Sequence, residues 1–336
     1  MYNIFNKTVI TLVIIFLIVG VIAILFALDF SKDNTVWGVT FSPYYAQDEL
    51  GLDWKQTYTA ILDDLNVDHI RLSSYWNHIE PNKDIYNFED LDWQINEATK
   101  RNVNITLAVG RRLPRWPECH DPKWIKNLNP TELEAQQLEF IEKVANRYKL
   151  NENIKTWQVE NEPFLGTFGE CPPLDKNLLI KEVNLIKEIT KKPILVTDSG
   201  ELSTWVKAAK TESNILGTTL YRTVYSSQFG YIHYPLPPLF YAFKSWWIRT
   251  LFKTDKIIIA ELQTESWHDN DSTLESMTQL DHDKSLSIKR MSDNINYAEK
   301  TGMPEVYLWG VEWWYFMKEK KDQDNYWNIA KELWIE

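Results

Sequence analysis

The chain is expected to fold as a (β/α)₈ barrel of the α/β class, preceded by one N-terminal transmembrane helix. Three observations predict this. Val9–Leu28 reads VITLVIIFLIVGVIAILFAL, twenty residues without a charge, the length a helix needs to cross a bilayer core. From Val36 onward, eight short apolar runs alternate with longer amphipathic stretches, the pattern of parallel β/α units. No repeat, low-complexity tract or Gly/Pro/Ser-rich linker interrupts them, so they belong to one domain of barrel size.

The N-terminal run is apolar on every face and twenty residues long, which favours a membrane span over a buried core helix. It lacks the small-x-small exit of a cleaved signal, ending instead in FALDFSKD. It is therefore expected to be an uncleaved anchor (9–28), flanked by a cytoplasmic segment (1–8) and a linker (29–35). Lys7 and the amino terminus precede it while Asp29, Lys32 and Asp33 follow. That balance favours an extracytoplasmic catalytic domain over residues 36–336.

The strands expected are VWGVTFS (36–42), VDHIRLS (67–73), VNITLAV (103–109), IKTWQVE (154–160), PILVTD (193–198), ILGTTLY (215–221), KIIIAE (256–261) and PEVYLWG (304–310). Helices are expected over 91–101, 131–148, 177–190 and 286–301. Asn129-Pro130-Thr131-Glu132 starts the second of these, and Gly302 and Pro304 close the last. A doubly wound sheet is the weaker reading, since no glycine-rich turn follows the first strand and the chain has 11 glycines in all.

Composition narrows the function. A net charge of −11 and a pI near 5.2 argue against a nucleic-acid partner, which needs a basic face. Sixteen Trp, sixteen Tyr and fourteen Phe suggest surfaces that stack on flat, partly apolar ligands such as sugar rings. Two cysteines are too few for a disulfide scaffold or a Cys-rich zinc site. No phosphate loop, serine elbow or closely spaced histidine pair appears, so neither cofactor nor metal is expected. Calcium on the acidic loop groups Asp269, Asp271 and Asp281 is a weak alternative.

Barrel chemistry belongs at the C-terminal strand ends. There the sequence places Arg71 after strand two, Trp116 and His120 after strand three, and Asn161-Glu162 after strand four. Tyr221 ends strand six, Glu261 strand seven and Trp309 strand eight. Glu162 and Glu261 face each other across the mouth. Two such carboxylates suit acetal hydrolysis, one giving a proton to the leaving oxygen and one attacking or stabilising the oxocarbenium-like centre.

WQVENEP (157–163) resembles the acid/base signature of clan A glycoside hydrolases, and KIIIAELQTESW (256–267) their nucleophile strand. HIRLSSYWNHIEP (69–81) and YLWGVEWWYF (307–316) are similar to strands two and eight of family 5 and family 42 relatives. The resemblance implies Glu162 as acid/base and Glu261 as nucleophile. It implies Asn161 on the sugar 2-hydroxyl, Arg71 and Tyr221 on the nucleophile, Arg71 holding it ionised, and Trp309 under the cleavage subsite. One departure is Thr219-Leu220-Tyr221, where family 5 members often carry His-x-Tyr. The implied activity is a membrane-anchored retaining β-glycosidase; the competing class is a non-catalytic carbohydrate-binding or envelope-scaffold barrel.

Alternatives remain within the set. Glu265 and Glu312 rival Glu261, which strand register favours because the apolar run 257–260 ends there. His120 and Trp116 are candidate substrate contacts, His120 being equally explicable as structural; Trp313 and Trp314 serve as sugar platforms or as packing. Asp198 and Glu201 are expected to bond loop backbone. Cys119 and Cys171 fall on neighbouring loops and are a candidate disulfide. Finally, YPLPPLFYAFKSWWIRTLFKTDK (234–256) is aromatic and basic, with no acid before Asp255. It reads either as an outer barrel helix or as a second, interfacial membrane contact.

Overall fold

The computed structural model describes residues 2–335 except 253, 270–272 and 275, with side chains from Thr11 onward. Asp271, one of the three acids considered for calcium, and Lys253 lie outside the described residues.

All eight expected strands form. They are β1 (Val36–Thr40), β2 (His69–Ser73), β3 (Asn104–Val109), β4 (Ile154–Val159), β5 (Ile194–Asp198), β6 (Ile215–Leu220), β9 (Lys256–Gln263) and β10 (Glu305–Trp309). They close into one parallel barrel in the order β1-β10-β9-β6-β5-β4-β3-β2. An antiparallel hairpin, β7 (Thr223–Ser226) and β8 (Gly230–His233), is inserted after β6 and was not anticipated.

The helices are α1 (Tyr2–Ala27), α2 (Trp54–Asp63), α3 (Trp76–Ile79), α4 (Glu89–Lys100), α5 (Pro130–Tyr148) and α6 (Lys176–Ile189). The rest are α7 (Val206–Ala209), α8 (Pro238–Phe252), α9 (Gln279–Ser285), α10 (Ile288–Lys300), α11 (Val311–Lys321) and α12 (Asn325–Lys331). Their starts follow local chemistry. Asn129 caps α5 in a capping box with Glu132, Pro130 filling the first turn; Asp53 and Asp175 cap α2 and α6. The stretch 286–301 begins two residues later than expected, because Ser287 caps α10.

α1 is 26 residues long, about 39 Å at 1.5 Å per residue. Among the described residues no helix is long and apolar enough to cross a membrane; the described side chains of α1 begin at Thr11. α1 packs against α8. The linker meets the barrel floor, where Phe30 N donates to Lys300 O at 3.1 Å and Val36 N to Pro304 O at 3.0 Å.

The barrel interior is layered. Leu195, Ile215, Ile258 and Tyr307 form a small apolar cluster inside it, separate from the main core between strands and helices. Two residues further along β5 and four along β6, the same inward faces present Thr197 and Thr219. Strand β9 carries an irregularity here. Thr218 pairs with Ile259 but Thr219 with Glu261, and Val306 pairs with Ile259 but Leu308 with Leu262. The extra residue is a β-bulge at Ala260, a device that re-aims the side chain after it. It turns Glu261 into the mouth.

Candidate active site

Arg71, fully buried on β2, organises the upper layer of the barrel. Its Nη1 donates to Glu261 Oε1 at 3.0 Å and to Ala260 O, the carbonyl at the bulge, at 3.2 Å. Nη2 donates to Asn161 Oδ1 at 2.7 Å and Nε to Gln158 Oε1 at 2.7 Å. One guanidinium thus ties the end of β9 to the end of β4 through charge-assisted bonds. Tyr221 OH donates to the other oxygen of Glu261 at 3.0 Å.

Asn161 Oδ1 also accepts from Gln158 Nε2 at 3.2 Å and Thr197 Oγ1 at 3.1 Å. With its oxygen so engaged, the amide nitrogen is the group left to act on Glu118, whose pKa Asn161 lowers. Glu162 N donates to Thr197 Oγ1 at 2.8 Å, and Thr219 Oγ1 to Glu162 Oε1 at 3.2 Å. The residue departing from His-x-Tyr therefore serves one carboxylate while Tyr221 serves the other.

Glu162 is buried, and its pKa is raised well above the usual carboxylate range by desolvation first, then by Glu261, Glu118, Glu201 and Asp198. A carboxyl in this setting holds its proton to higher pH than a free one, which favours the form a general acid needs.

The loop bearing Glu162 is held under backbone strain, with φ of 58° at Glu160 and 42° at Glu162. Glu160 secures it. Its carboxylate accepts from Arg111 N at 2.8 Å, Arg112 N at 2.6 Å and Gln137 Nε2 at 3.0 Å. Gly110 makes room for this: at φ 140° a Cβ there would lie 2.4 Å from Glu160 Oε1. Glu182, raised well above its usual range by burial and then by Glu160, shares the Gln137 amide with it. Arg112 Nη1 and Nη2 hold Leu165 O and Phe168 O at 2.6 and 3.0 Å, and Cys119 and Cys171 are joined by a disulfide. That bond closes a separation of 52 residues, worth about 4 kcal/mol by the loop-entropy relation. A Cys119→Ser, Cys171→Ser variant should accordingly lose roughly 2–4 kcal/mol in urea unfolding; an unchanged midpoint would contradict it.

The rivals of Glu261 are spoken for. Arg115 Nη1 donates to Glu265 Oε1 and Nη2 to Glu312 Oε2, both at 2.7 Å, while Glu312 Oε1 accepts from Ser42 N at 2.6 Å. The guanidinium lies 3.7 Å from the Tyr45 ring centroid and 4.2 Å from that of Trp309, a cation–π sandwich. Trp309 thus reaches the mouth with Arg115 against its ring. His120 stands apart from the carboxylates. Its Nε2 bonds Arg115 O at 3.2 Å, its ring packs on Tyr75 at 4.3 Å, and burial pushes its pKa down to about 4. Trp313 and Trp314 are fully buried packing residues. Trp116 is 59% exposed and begins an aromatic rim, Trp116–Phe168–Trp267–Tyr221, with successive centroids 5.7, 5.6 and 5.5 Å apart. Asp198 and Glu201 accept from Ser199 N at 3.0 Å and Tyr221 N at 2.8 Å, and also take the Ser203 and Tyr241 hydroxyls. Among the described residues no cluster of three or more His, Cys, Asp or Glu is placed to hold a metal.

The family model for glycosyl hydrolase family 10 matches residues 46–169, the stretch holding Arg71, Asn161 and Glu162. A family 5 subfamily 18 enzyme from Streptomyces cattleya, in complex with GlcNAc, superposes with TM-score 0.60 at 12% identity, over 83% of this chain and 71% of that one. The fold is the closed parallel eight-stranded barrel that this glycoside hydrolase shares. A family 10 endo-β-1,4-xylanase from Gloeophyllum trabeum gives TM-score 0.54 at 17% identity, covering 82% and 84% of the two chains. A family 1 β-glucosidase from Thermotoga maritima gives 0.52 at 12%, covering 84% and 88%. No curated protein matches the sequence. The clan is the one the motifs suggested; the matching model is family 10, where the motifs pointed to families 5 and 42.

Sequence reasoning missed Glu118, Gln158, Thr197 and Arg115. Gln158 had a visible signal, a polar amide between the apolar Trp157 and Val159 at the end of β4. Glu118 had none. It lies in the loop after β3 with φ 75°, paired with Arg112 at 3.4 Å, and burial raises its pKa to about 8.

This acidic mouth carries a pH signature. Burial raises Glu118 to about 8 and both Glu160 and Glu201 to about 7. A carboxyl whose folded pKa is raised binds its proton more tightly in the native state, so its contribution to stability falls as pH rises from the unfolded value through the folded one. The thermal midpoint should therefore drop between about pH 5 and about pH 8.5. Calorimetry with the disulfide intact checks this; a flat or rising midpoint would overturn it.

Proposed function

We propose that the chain is a membrane-anchored, retaining β-glycosidase that cleaves a β-linked oligo- or polysaccharide by double displacement. The observation that carries this reading is the Arg71 bridge, which fixes Glu261 and Asn161 in one buried network beside a carboxyl, Glu162, whose surroundings favour its protonated form.

In this scheme Glu162 gives its proton to the glycosidic oxygen as that bond breaks, and a carboxylate oxygen of Glu261 attacks the anomeric carbon from the opposite face. Tyr221 and Arg71 hold the attacking group, and the Asn161 amide is available to the 2-hydroxyl. A water then loses a proton to Glu162 and displaces Glu261, giving net retention. Trp116, Phe168 and Trp267 offer apolar faces to the flanking sugar units.

The anchor is supported by the uncharged run Val9–Leu28 within a helix whose length, about 39 Å, exceeds a hydrocarbon core of roughly 30 Å. An extracytoplasmic domain fits the Cys119–Cys171 disulfide, a bond favoured in oxidising compartments.

The test is to incubate the full-length protein with aryl β-glycosides and with β-linked glucans, mannans, galactans and xylans, following products by NMR. A first-formed β-anomer is expected from at least one substrate. A first-formed α-anomer would overturn retention. Release from none, with sugar binding intact, would favour the carbohydrate-binding scaffold.

A further inference from the structure

α8 is unlike an ordinary outer helix of a barrel. Its inner face is tied down: Tyr241 and Ile248 are buried, and Tyr241 OH donates to Glu201. Lys244 Nζ donates to Gly200 O at 2.7 Å and Ser203 O at 2.8 Å. One of the bases in this segment is therefore committed to the barrel. The outer face is apolar where charges are the rule. Phe243, Trp246 and Leu251 are 57%, 61% and 56% exposed, and the rings of Phe243 and Trp246 lie 5.6 Å apart. Among the described residues of the barrel, no other helix exposes three large apolar side chains.

Two further facts select the occupant. The stretch 234–252 contains no acid in a chain of net charge −11, and Arg249 stands exposed on it. Against α8 packs α1, whose own large apolar side chains from Leu12 to Ile24, and Phe26, are exposed. A protein partner covering α8 would leave the α1 surface bare; a bilayer covers both at once.

We propose that α8 is a second membrane contact. Phe243, Trp246 and Leu251 enter the headgroup region beside α1, and Arg249 meets anionic lipid phosphates. The barrel then rests on its α8 flank instead of swinging freely on its linker. This inference rests on the anchor reading of residues 9–28.

The test uses the full chain in phosphatidylcholine vesicles, with and without phosphatidylglycerol. Nitroxides are attached at Trp246→Cys and, as an aqueous reference on the exposed surface of α5, at Glu142→Cys; the native cysteines are tied in their disulfide. Flotation with the vesicles reports the anchor, and collision rates with oxygen and with a water-soluble nickel complex report each label. The expected result is flotation, with label 246 open to oxygen and shielded from nickel while label 142 stays aqueous. Flotation with both labels aqueous would overturn the α8 contact and leave the anchor standing. Failure to float would overturn both. Spin–spin broadening between 246 labels without lipid-like oxygen contact would mark a second copy of the chain as the occupant and overturn the proposal.

Discussion

Glu261→Gln should lower kcat/KM for aryl β-glycosides by on the order of 10⁴-fold or more, because the amide cannot form the glycosyl ester. The size follows from the position: Glu261 is the acid that the β9 bulge turns into the mouth, where Arg71 and Tyr221 occupy its two oxygens at 3.0 Å each. Glutamine keeps the shape but leaves Arg71 without its charge partner, so loss of rate alone would not separate chemistry from misfolding. Glu261→Ala with added azide makes that separation. A small anion entering the vacated space attacks the anomeric carbon once, and the glycosyl azide formed has inverted configuration. Glu265→Gln is the counter-control. It breaks the Arg115 ion pair and should cost stability while leaving double displacement intact. Full activity in Glu261→Gln, with loss in Glu265→Gln, would move the nucleophile four residues along the chain.

Glu162→Gln should act differently, and the leaving group should show it. Proton donation is worth roughly 10²–10⁴-fold when the departing oxygen is a sugar alkoxide, and little when it is an acidic phenol. The variant should therefore lose most of its rate on oligosaccharides and far less on dinitrophenyl glycosides, where hydrolysis of the glycosyl-enzyme becomes limiting. Azide should then yield a product of retained configuration, the mirror of the Glu261→Ala outcome. The pH profile gives a second readout. In the wild type, activity should extend to the alkaline side until Glu162, raised by burial and by its acidic neighbours, loses its proton. Glu162→Gln should lose that limb. Equal losses on all leaving groups, with the alkaline limb unchanged, would remove Glu162 from the acid/base role.

The barrel was largely legible because parallel strands buried on both faces read as plain apolar runs, and each expected run contains an observed strand within a residue or two. The position of Glu162 at the barrel mouth was legible for a related reason. Asn161-Glu162-Pro163 interrupts an apolar strand at its C-terminal end, where the fold puts chemistry. What was not legible lives in register and in long-range pairing. Nothing in KIIIAELQTES announces the bulge at Ala260 that separates the fate of Glu261 from that of Glu265. Arg115 sits in a Pro-rich loop, and its partners Glu265 and Glu312 are 150 and 197 residues away. Glu118 was hidden because its meaning comes from burial against Arg112 and Asn161, a property of the folded loop. The hairpin of β7 and β8 was missed because YRTVYSSQFGYIH lacks a tight two-residue turn signal.

The polar upper layer of the barrel has a consequence for how such a chain drifts under mutation. Arg71, Gln158, Asn161, Thr197 and Glu261 bond one another before any sugar arrives, so the reorganisation that catalysis demands is completed during folding. Burying an ion pair such as Arg71–Glu261, 0% and 4% exposed at the side chains, costs desolvation that packed apolar residues of similar volume would avoid. Concerted replacement of the layer by leucine, valine and methionine would be neutral or stabilising for the barrel. Loss of chemistry is thus the thermodynamically easy direction for this fold, and a sequence left to stability alone would slide toward an inert barrel.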